Sequence, residues 1–453
     1  MFSFYRQEDG DNWDRRHTWR RLAHVCQRWR YLVYHSLSHL DMCLILTNNS
    51  PSINTLSHLP HMPLVIDYLD RTRTLAPKDE DNIHLGLQQH GRVRRVALCA
   101  PSSSLHLLLE QMKKPFPRLD DLSLLSTTTE EMSLVLPETL QAPFLSRLSL
   151  HGIGLPKGLS LLSSMISLST LSLTHIRGSC YFPPGHLVTQ LQGLRYLEEL
   201  SIGFAIPIPL PSSERELLPA LIPPVTLPAL KQLTFRGVGV YLDSLVTQMN
   251  TPLLERLNLV LFFEITFTLV NLNDFIHRTE EFRCLATRVI FNHYGASIHC
   301  YYKQWNTRKL SVDINCEQLD WKIDSVTQVC SALGKVLSTV EELILDLDVV
   351  GIPSGWENTL DNMLWHELLL PFVGVKMLHI SSSLTPELSR ALESVAGESV
   401  LELLPELQAL EIQLDMDQAK KAFSGFVKTR ESIGRPVHLL TPVRSLSLIV
   451  NTC

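Results

Sequence analysis

The sequence lacks the short motifs that announce most chemistries. It holds no GxxxxGK[ST], no GxGxxG behind a strand, no GxSxG and no HExxH. Neither a phosphate cradle, a nucleophile elbow nor a zinc-protease helix is written into it. It also lacks surplus positive charge, with a net charge of −6. Broad nucleic-acid binding rests on excess Lys and Arg, so no nucleic-acid partner is expected. Its cysteines, at 26, 43, 99, 180, 284, 300, 316, 330 and 453, are odd in number and free of CxxC spacing. They read as free thiols of a reducing compartment. No apolar run reaches the ~20 residues needed to span a bilayer. The longest, Leu257–Leu272, is interrupted by Asn258, Glu264 and Asn271, and is expected to be a strand followed by a buried segment. Met1–Asp14 turns acidic at Glu8, Asp9 and Asp11, unlike a secretory signal. These absences predict a soluble intracellular protein, cytoplasmic or nuclear, without a membrane partner.

Leucine at fixed spacing is abundant. Leu254–Leu259 reads LERLNL, one copy of LxxLxL. In a strand, successive side chains face opposite sides. Leu257 and Leu259 then point one way, Arg256, Asn258 and Val260 the other, and Leu254 folds onto the apolar side from the strand's start. Such a strand cannot stand alone, because ordering its backbone costs about 1–2 kcal/mol per residue. The same pattern begins at Val93, Leu119, Leu145, Leu168, Leu197 and Leu230, and again at Val340, Val375, Leu407 and Val443. From Val93 to Leu254 the starts lie 23 to 33 residues apart, the period of leucine-rich repeats. The Asn of the regular repeat is absent, since Thr127, Ile153 and Ile176 stand in its place. No copy is clear between Leu254 and Val340.

The remaining segments fit around these strands. Leu40–Leu46 and Leu64–Leu69 read as the first strands. Asp79–His90 reads as a helix capped by Asp79 or Asp81, with Ile83 and Leu87 on one side. Ser103–Met112, Ser160–Met165, Ser325–Leu337, Trp356–Leu370 and Pro386–Ala396 read as helical returns, and Thr287–Asn292 and Leu310–Ile314 as strands. The proline-rich stretch Ile206–Pro228 cannot continue a ladder and reads as a long loop, with a possible helix at Ser212–Leu221.

From Trp13 to Val33 the pattern turns helical, with Trp19, Leu22, Ala23, Cys26, Trp29, Arg30 and Val33 mostly on one face. Cys26 is expected to pack there. The stretch TWRRLAHVCQRWRYLV, Thr18 to Val33, resembles the second half of an F-box, with Val25, Cys26, Trp29 and Arg30 at the matching positions. WHELLLPF (Trp365–Phe372), ELSRAL (Glu387–Leu392), LLPELQALEI (Leu403–Ile412) and FSGFVKTRESIGRPV (Phe423–Val437) resemble the C-terminal half of F-box proteins abundant in mushroom-forming fungi. The resemblance implies docking on the Skp-type adaptor of a cullin-RING ubiquitin ligase, with Trp19, Leu22, Val25, Cys26, Trp29 and Arg30 as docking residues. It also implies that the repeats hold a protein substrate. Nothing before Trp13 matches the opening LP-x-E helix. Two readings stay open on that point: a reading frame that starts late, or a copy without its first half. A cap on the first repeat is the alternative role of this helix.

The constellations with chemical potential are sparse. His293, His299 and Cys300 fit no zinc spacing. Glu341–Glu342 and Glu280–Glu281 are adjacent, so strand geometry turns each pair apart. No catalytic residue, cofactor or metal is assigned. A polar strand face remains, running from Asp121 and Ser123 through Arg147, Ser149, His151, Thr170 and Ser172. It continues through Glu199, Ser201, Gln232, Thr234, Arg236, Arg256 and Asn258 to Glu342, Asp346, His379, Glu411 and Gln413. Arg147, His151, Arg236, Arg256, Asn258, Asp346 and Glu411 are its candidate substrate contacts. The expected architecture is α/β: a leucine-rich-repeat solenoid, an irregular horseshoe, over 37–453. It follows an N-terminus at 1–14, read as flexible, and a partial F-box-like helical segment at 15–36. The expected function is substrate recognition for an F-box-type ubiquitin ligase, with a repeat scaffold lacking ligase docking as the alternative.

Overall fold

A computed structural model describes residues 25–29, 31, 43–47, 61–70, 75–128, 134–156, 160–207, 224–279, 282–302, 308–316, 319–348, 362–394, 403–414 and 416–440. The chain is mixed α/β. It divides into two compact units. The first runs to Phe182 and takes in Gly193–Leu197; the second takes Pro183–Gln192 and the described residues from Glu198 on.

In the first unit, β1 (Leu44–Leu46), β2 (Leu64–Tyr68), β3 (Val93–Ala100), β4 (Asp121–Ser126), β5 (Arg147–His151) and β6 (Thr170–Ile176) lie side by side in chain order, all parallel. Parallel neighbours need a crossover, here the helices Pro77–Gln88 and Ser102–Gln111 and the single turn Ser160–Ser163. The helix Pro77–Gln88 starts one turn earlier than the sequence indicates, with Ala76 as N-cap and proline at its first position. Asp79 is not the cap. It lies inside the first turn, where its carboxylate accepts from the Ala76 N–H at 3.4 Å. Ile83 and Leu87 are buried as expected.

The second unit opens with β7 (Glu199–Phe204). A two-residue parallel pair, β8 (Val225–Thr226) with β10 (Met249–Asn250), lies apart from the main sheet. β9 (Gln232–Gly237) and β11 (Arg256–Phe262) continue beside β7 in parallel. The helical returns here include Pro184–Leu191, Gly239–Thr247 and Leu272–His277.

The stretch without a visible repeat is an insertion. β12 (Ala286–Asn292), β13 (Gly295–Tyr301) and β14 (Arg308–Asn315) form an antiparallel meander. β14 pairs parallel with β11, and β12 pairs parallel with β15 (Glu342–Asp348). An even number of reversals keeps the flanking strands parallel, so the repeat resumes undisturbed. β16 (Met377–Ile380), β17 (Ala409–Ile412) and β18 (His438–Leu440) follow in order. The helix expected at Ser325–Leu337 begins earlier, as Leu319–Ala332, and breaks before Gly334–Leu337. The two later helices expected from the sequence are seen as Asn362–Leu369 and Thr385–Ser394, and Met416–Ala422 and Ser424–Ser432 follow. The strand from Val443 and the helix at Ser212–Leu221 lie outside the described residues.

Motif leucines meet their counterparts across the sheet. Leu257 faces Leu233 on one side and Leu310 on the other, and Leu259 faces Phe235 and Val312. All of these are buried, Leu254 included. Each full burial is worth about 1.5–3 kcal/mol, and neighbouring strands share it. The segment after β11 departs from expectation. Phe267 and Leu269 are buried, but Ile265 is 83% and Val270 77% exposed, so the apolar run is only partly core.

A repeated turn starts the strands. The N–H of each motif's first residue donates to the carbonyl three residues back, at 3.1–3.3 Å, for Leu119, Leu145, Leu168, Leu197, Leu230, Leu254, Val340, Val375 and Leu407. Proline occupies the second turn position at 117, 143, 228, 252 and 405, where its fixed φ suits a type I or II turn. The repeat is therefore better written P-x-L-x-x-L-x-L.

Candidate functional site

Strand alternation leaves one polar side chain between each pair of core leucines, and pairing register lines these up into rows. In the first unit Asp121, Arg147 and Thr170 form one row, and Ser123, Ser149 and Ser172 the next. Asp121 is buried rather than displayed. It lies 3.5 Å from Arg95 and 3.7 Å from Arg147. Burial pushes its carboxyl up, against the pull of the two arginines. Arg147 is exposed. His151 shares a hydrogen bond with the Thr174 hydroxyl at 3.0 Å and stacks on His175, ring centroids 4.9 Å apart.

In the second unit Ser201, Thr234, Asn258 and Ser311 stand in register on consecutive strands. Their row continues through His299 and Arg288, is interrupted by the apolar Ile344 of β15, and resumes at His379 and Glu411. Arg236 sits two residues beyond the row and Arg256 two residues before it, both exposed. The Arg236 guanidinium lies over the Phe262 ring, 5.6 Å from its centroid.

Towards β15–β17 the same face brings carboxylates close to an arginine and to histidines. Arg288 is bonded to Asp346. His379, buried, places Nε2 2.9 Å from Glu342 and Nδ1 3.4 Å from Glu411. Asp313 accepts from the Ser297 hydroxyl at 2.6 Å and lies 3.7 Å from His299 Nε2. Burial pushes the Asp313 carboxyl up, but the hydrogen bonds from His299 and Ser297 outweigh it and hold it below the ordinary value.

Of the surface candidates, Arg147 and His151 belong to the first unit, and Arg236, Arg256, Asn258, Asp346 and Glu411 to the second. Asp346 is bonded to Arg288, and Glu411 lies beside His379. The sequence reading places Arg288 and Asp313 on strands but not on this face, and it misses Ser297 and His299 because β13 is not among its strands. The signal was present: ASIHCY alternates after TRVIFN, and the Asn292 side chain accepts from the Tyr294 and Gly295 N–H groups, each at 2.9 Å, closing the turn.

His299 and Cys300 point to opposite faces of β13, which separates them as ligands. Among the described residues, no group of three or more His, Cys, Asp or Glu side chains gathers to hold a metal ion. Cys284, Cys300 and Cys330 are buried. The hydrogen bond between Cys284 and Cys300, with burial, raises the Cys284 thiol, and burial raises Cys330 and takes Cys316 to about 11. Raised thiols stay protonated at neutral pH, the wrong state for a nucleophile.

Of the docking candidates, Trp19, Leu22 and Arg30 lie outside the described residues. Gln27–Trp29 is helical. Val25 is 62% exposed and Trp29 half-buried. Cys26 is exposed, not packed on an apolar face. Among the described residues no helix is long and apolar enough to cross a membrane. The chain matches no protein-family model and no curated protein.

Proposed function

We propose that this chain is the substrate-recognition subunit of an F-box-type ubiquitin ligase. Its repeats stack as an irregular solenoid and hold a target protein on the polar strand face, with no chemistry of its own. The observation that carries the reading is the in-register row Ser201–Thr234–Asn258–Ser311, flanked by exposed Arg236 and Arg256. Hydroxyls, amides and charges at fixed strand spacing supply the directional contacts of protein recognition, while the leucines behind them keep the spacing rigid. The ligase half of the reading rests on the V-C-x-x-W-R resemblance and on the exposure of Val25. Val25 lies outside the apolar helical face read from the sequence at Trp19, Leu22, Cys26, Trp29 and Val33, so its exposure leaves that side chain available to an adaptor.

The test is a pull-down of the full chain with the Skp-type adaptor of the same organism, beside Val25→Asp and Trp29→Ala. The parent is expected to bind and both variants to lose binding. An adaptor that ignores all three would leave the repeat scaffold without ligase contact.

A further inference from the structure

The arginines on the strand face of the second unit differ in what they already hold. Arg288 is bound to Asp346. Arg236 and Arg256 are exposed and make no ion pair among the described residues. Arg256 is in register with Gln232, and Arg236 with Val260. The two are thus four residues apart along adjacent parallel strands, about 13 Å. Between them lie the hydroxyl of Thr234 and the amide of Asn258, with the Ser201 hydroxyl of β7 beside Thr234, all half-buried. Gly203 stands opposite Arg236 on β7 and adds no side chain there. Glu199 is at the edge of the Arg256 row, two strands away. Asp313 is taken up by Ser297, Ser311 and His299. Two unpaired forked cations with hydrogen-bond donors between them complement an anion at each end and polar backbone in the middle.

Building on the reading that the strand face holds a target protein, we propose that Arg236 and Arg256 clamp an acidic or phosphorylated peptide segment lying along β9 and β11. Ser201, Thr234 and Asn258 donate to the segment between the two charges. An extended chain advances about 3.3 Å per residue, so the matching segment carries anionic side chains four residues apart.

Degenerate peptide libraries test this, with fixed phosphoserine, glutamate, serine or lysine at both positions of an i, i+4 pair. The full chain is applied as parent, Arg236→Gln, Arg256→Gln and Asn258→Trp. The parent is expected to retain the phosphoserine or the glutamate library over the serine one, and each Arg→Gln change to weaken retention about tenfold. Retention of phosphoserine alone identifies a phosphorylated segment; retention of both identifies general acidity. Arg236→Lys keeps a cation over Phe262 but not the fork, and covers the case where Arg236→Gln melts early; its retention is expected to fall as well. Equal retention of all libraries, unmoved by the arginine changes, overturns the clamp. If Asn258→Trp abolishes that retention, the strand face still binds protein and only its chemistry was misassigned. If no library is held through the face, the clamp and the recognition reading fall together.

Discussion

Gly295 and Ile314 pass so closely across β13 and β14 that a Cβ on Gly295 would stand 1.9 Å from the Ile314 carbonyl oxygen. The contact seats the β12–β13 turn against the neighbouring strand, and through it the Asp313 cluster. Gly295→Ala forces backbone atoms apart and is expected to cost about 2–3 kcal/mol. Gly91→Ala, where a Cβ meets nothing within 4 Å, is the control and should be neutral or slightly stabilising. Urea unfolding of the two variants separates them; equal midpoints would show that the meander relaxes freely.

Leu257 sits between Leu233 and Leu310 with none of its surface exposed. A carboxylate there has no partner, and an unpaired buried charge costs several kcal/mol. Leu257→Asp is expected to remove the cooperative melting of the second unit, because β9, β11 and β14 lose their shared core at once. A circular-dichroism melt indistinguishable from the parent's would sink this.

The leucine strands were legible because spacings of three and two place each motif's side chains on one face, and nothing else competes for those positions. The insertion was legible only in part: TRVIFN and LSVDI alternate as strands do, but β13 carries Ala296 and Cys300 where the repeat carries leucine. Exposure was the least legible feature. Val270 and Leu269 are equally apolar neighbours, yet one is 77% exposed and the other 2%; only the turn geometry after β11 decides between them. On the face, Arg236 and Arg256 were readable by alternation. That Asp346 is engaged by Arg288 depends on strand order across the insertion, which local pattern does not carry, whereas Glu411 meets His379 through the register of the consecutive strands β16 and β17.

The Asp313 carboxyl lies below its ordinary value, so its contribution to stability is complete above the unfolded value of about 3.9. It fades as pH falls through the lower folded value, where the folded carboxylate takes up its proton. Asp313→Asn is therefore expected to destabilise at pH 7 and to match the parent more closely near pH 3. Paired urea titrations at the two pH values check the sign. A gap that is constant or widens in acid would assign the loss to shape, not charge.

Ile166 occupies the position in the Met165–Leu168 turn that proline holds in five sister turns. Its side chain is 62% exposed, so little packing is lost on removing it. The turn bond is made by the Leu168 N–H, not by that of Ile166. Proline supplies the φ this position uses in the sister turns and restricts the unfolded chain. Ile166→Pro is expected to stabilise the first unit by about 0.4–1 kcal/mol, and Pro143→Ala to destabilise it by a similar amount. The two changes act on neighbouring strands through the same turn, so their opposite signs test the repeat itself. If Ile166→Pro lowers the urea midpoint while Pro143→Ala also lowers it, the Met165–Leu168 turn has a different backbone from its sisters, and the P-x-L-x-x-L-x-L unit does not extend to β6.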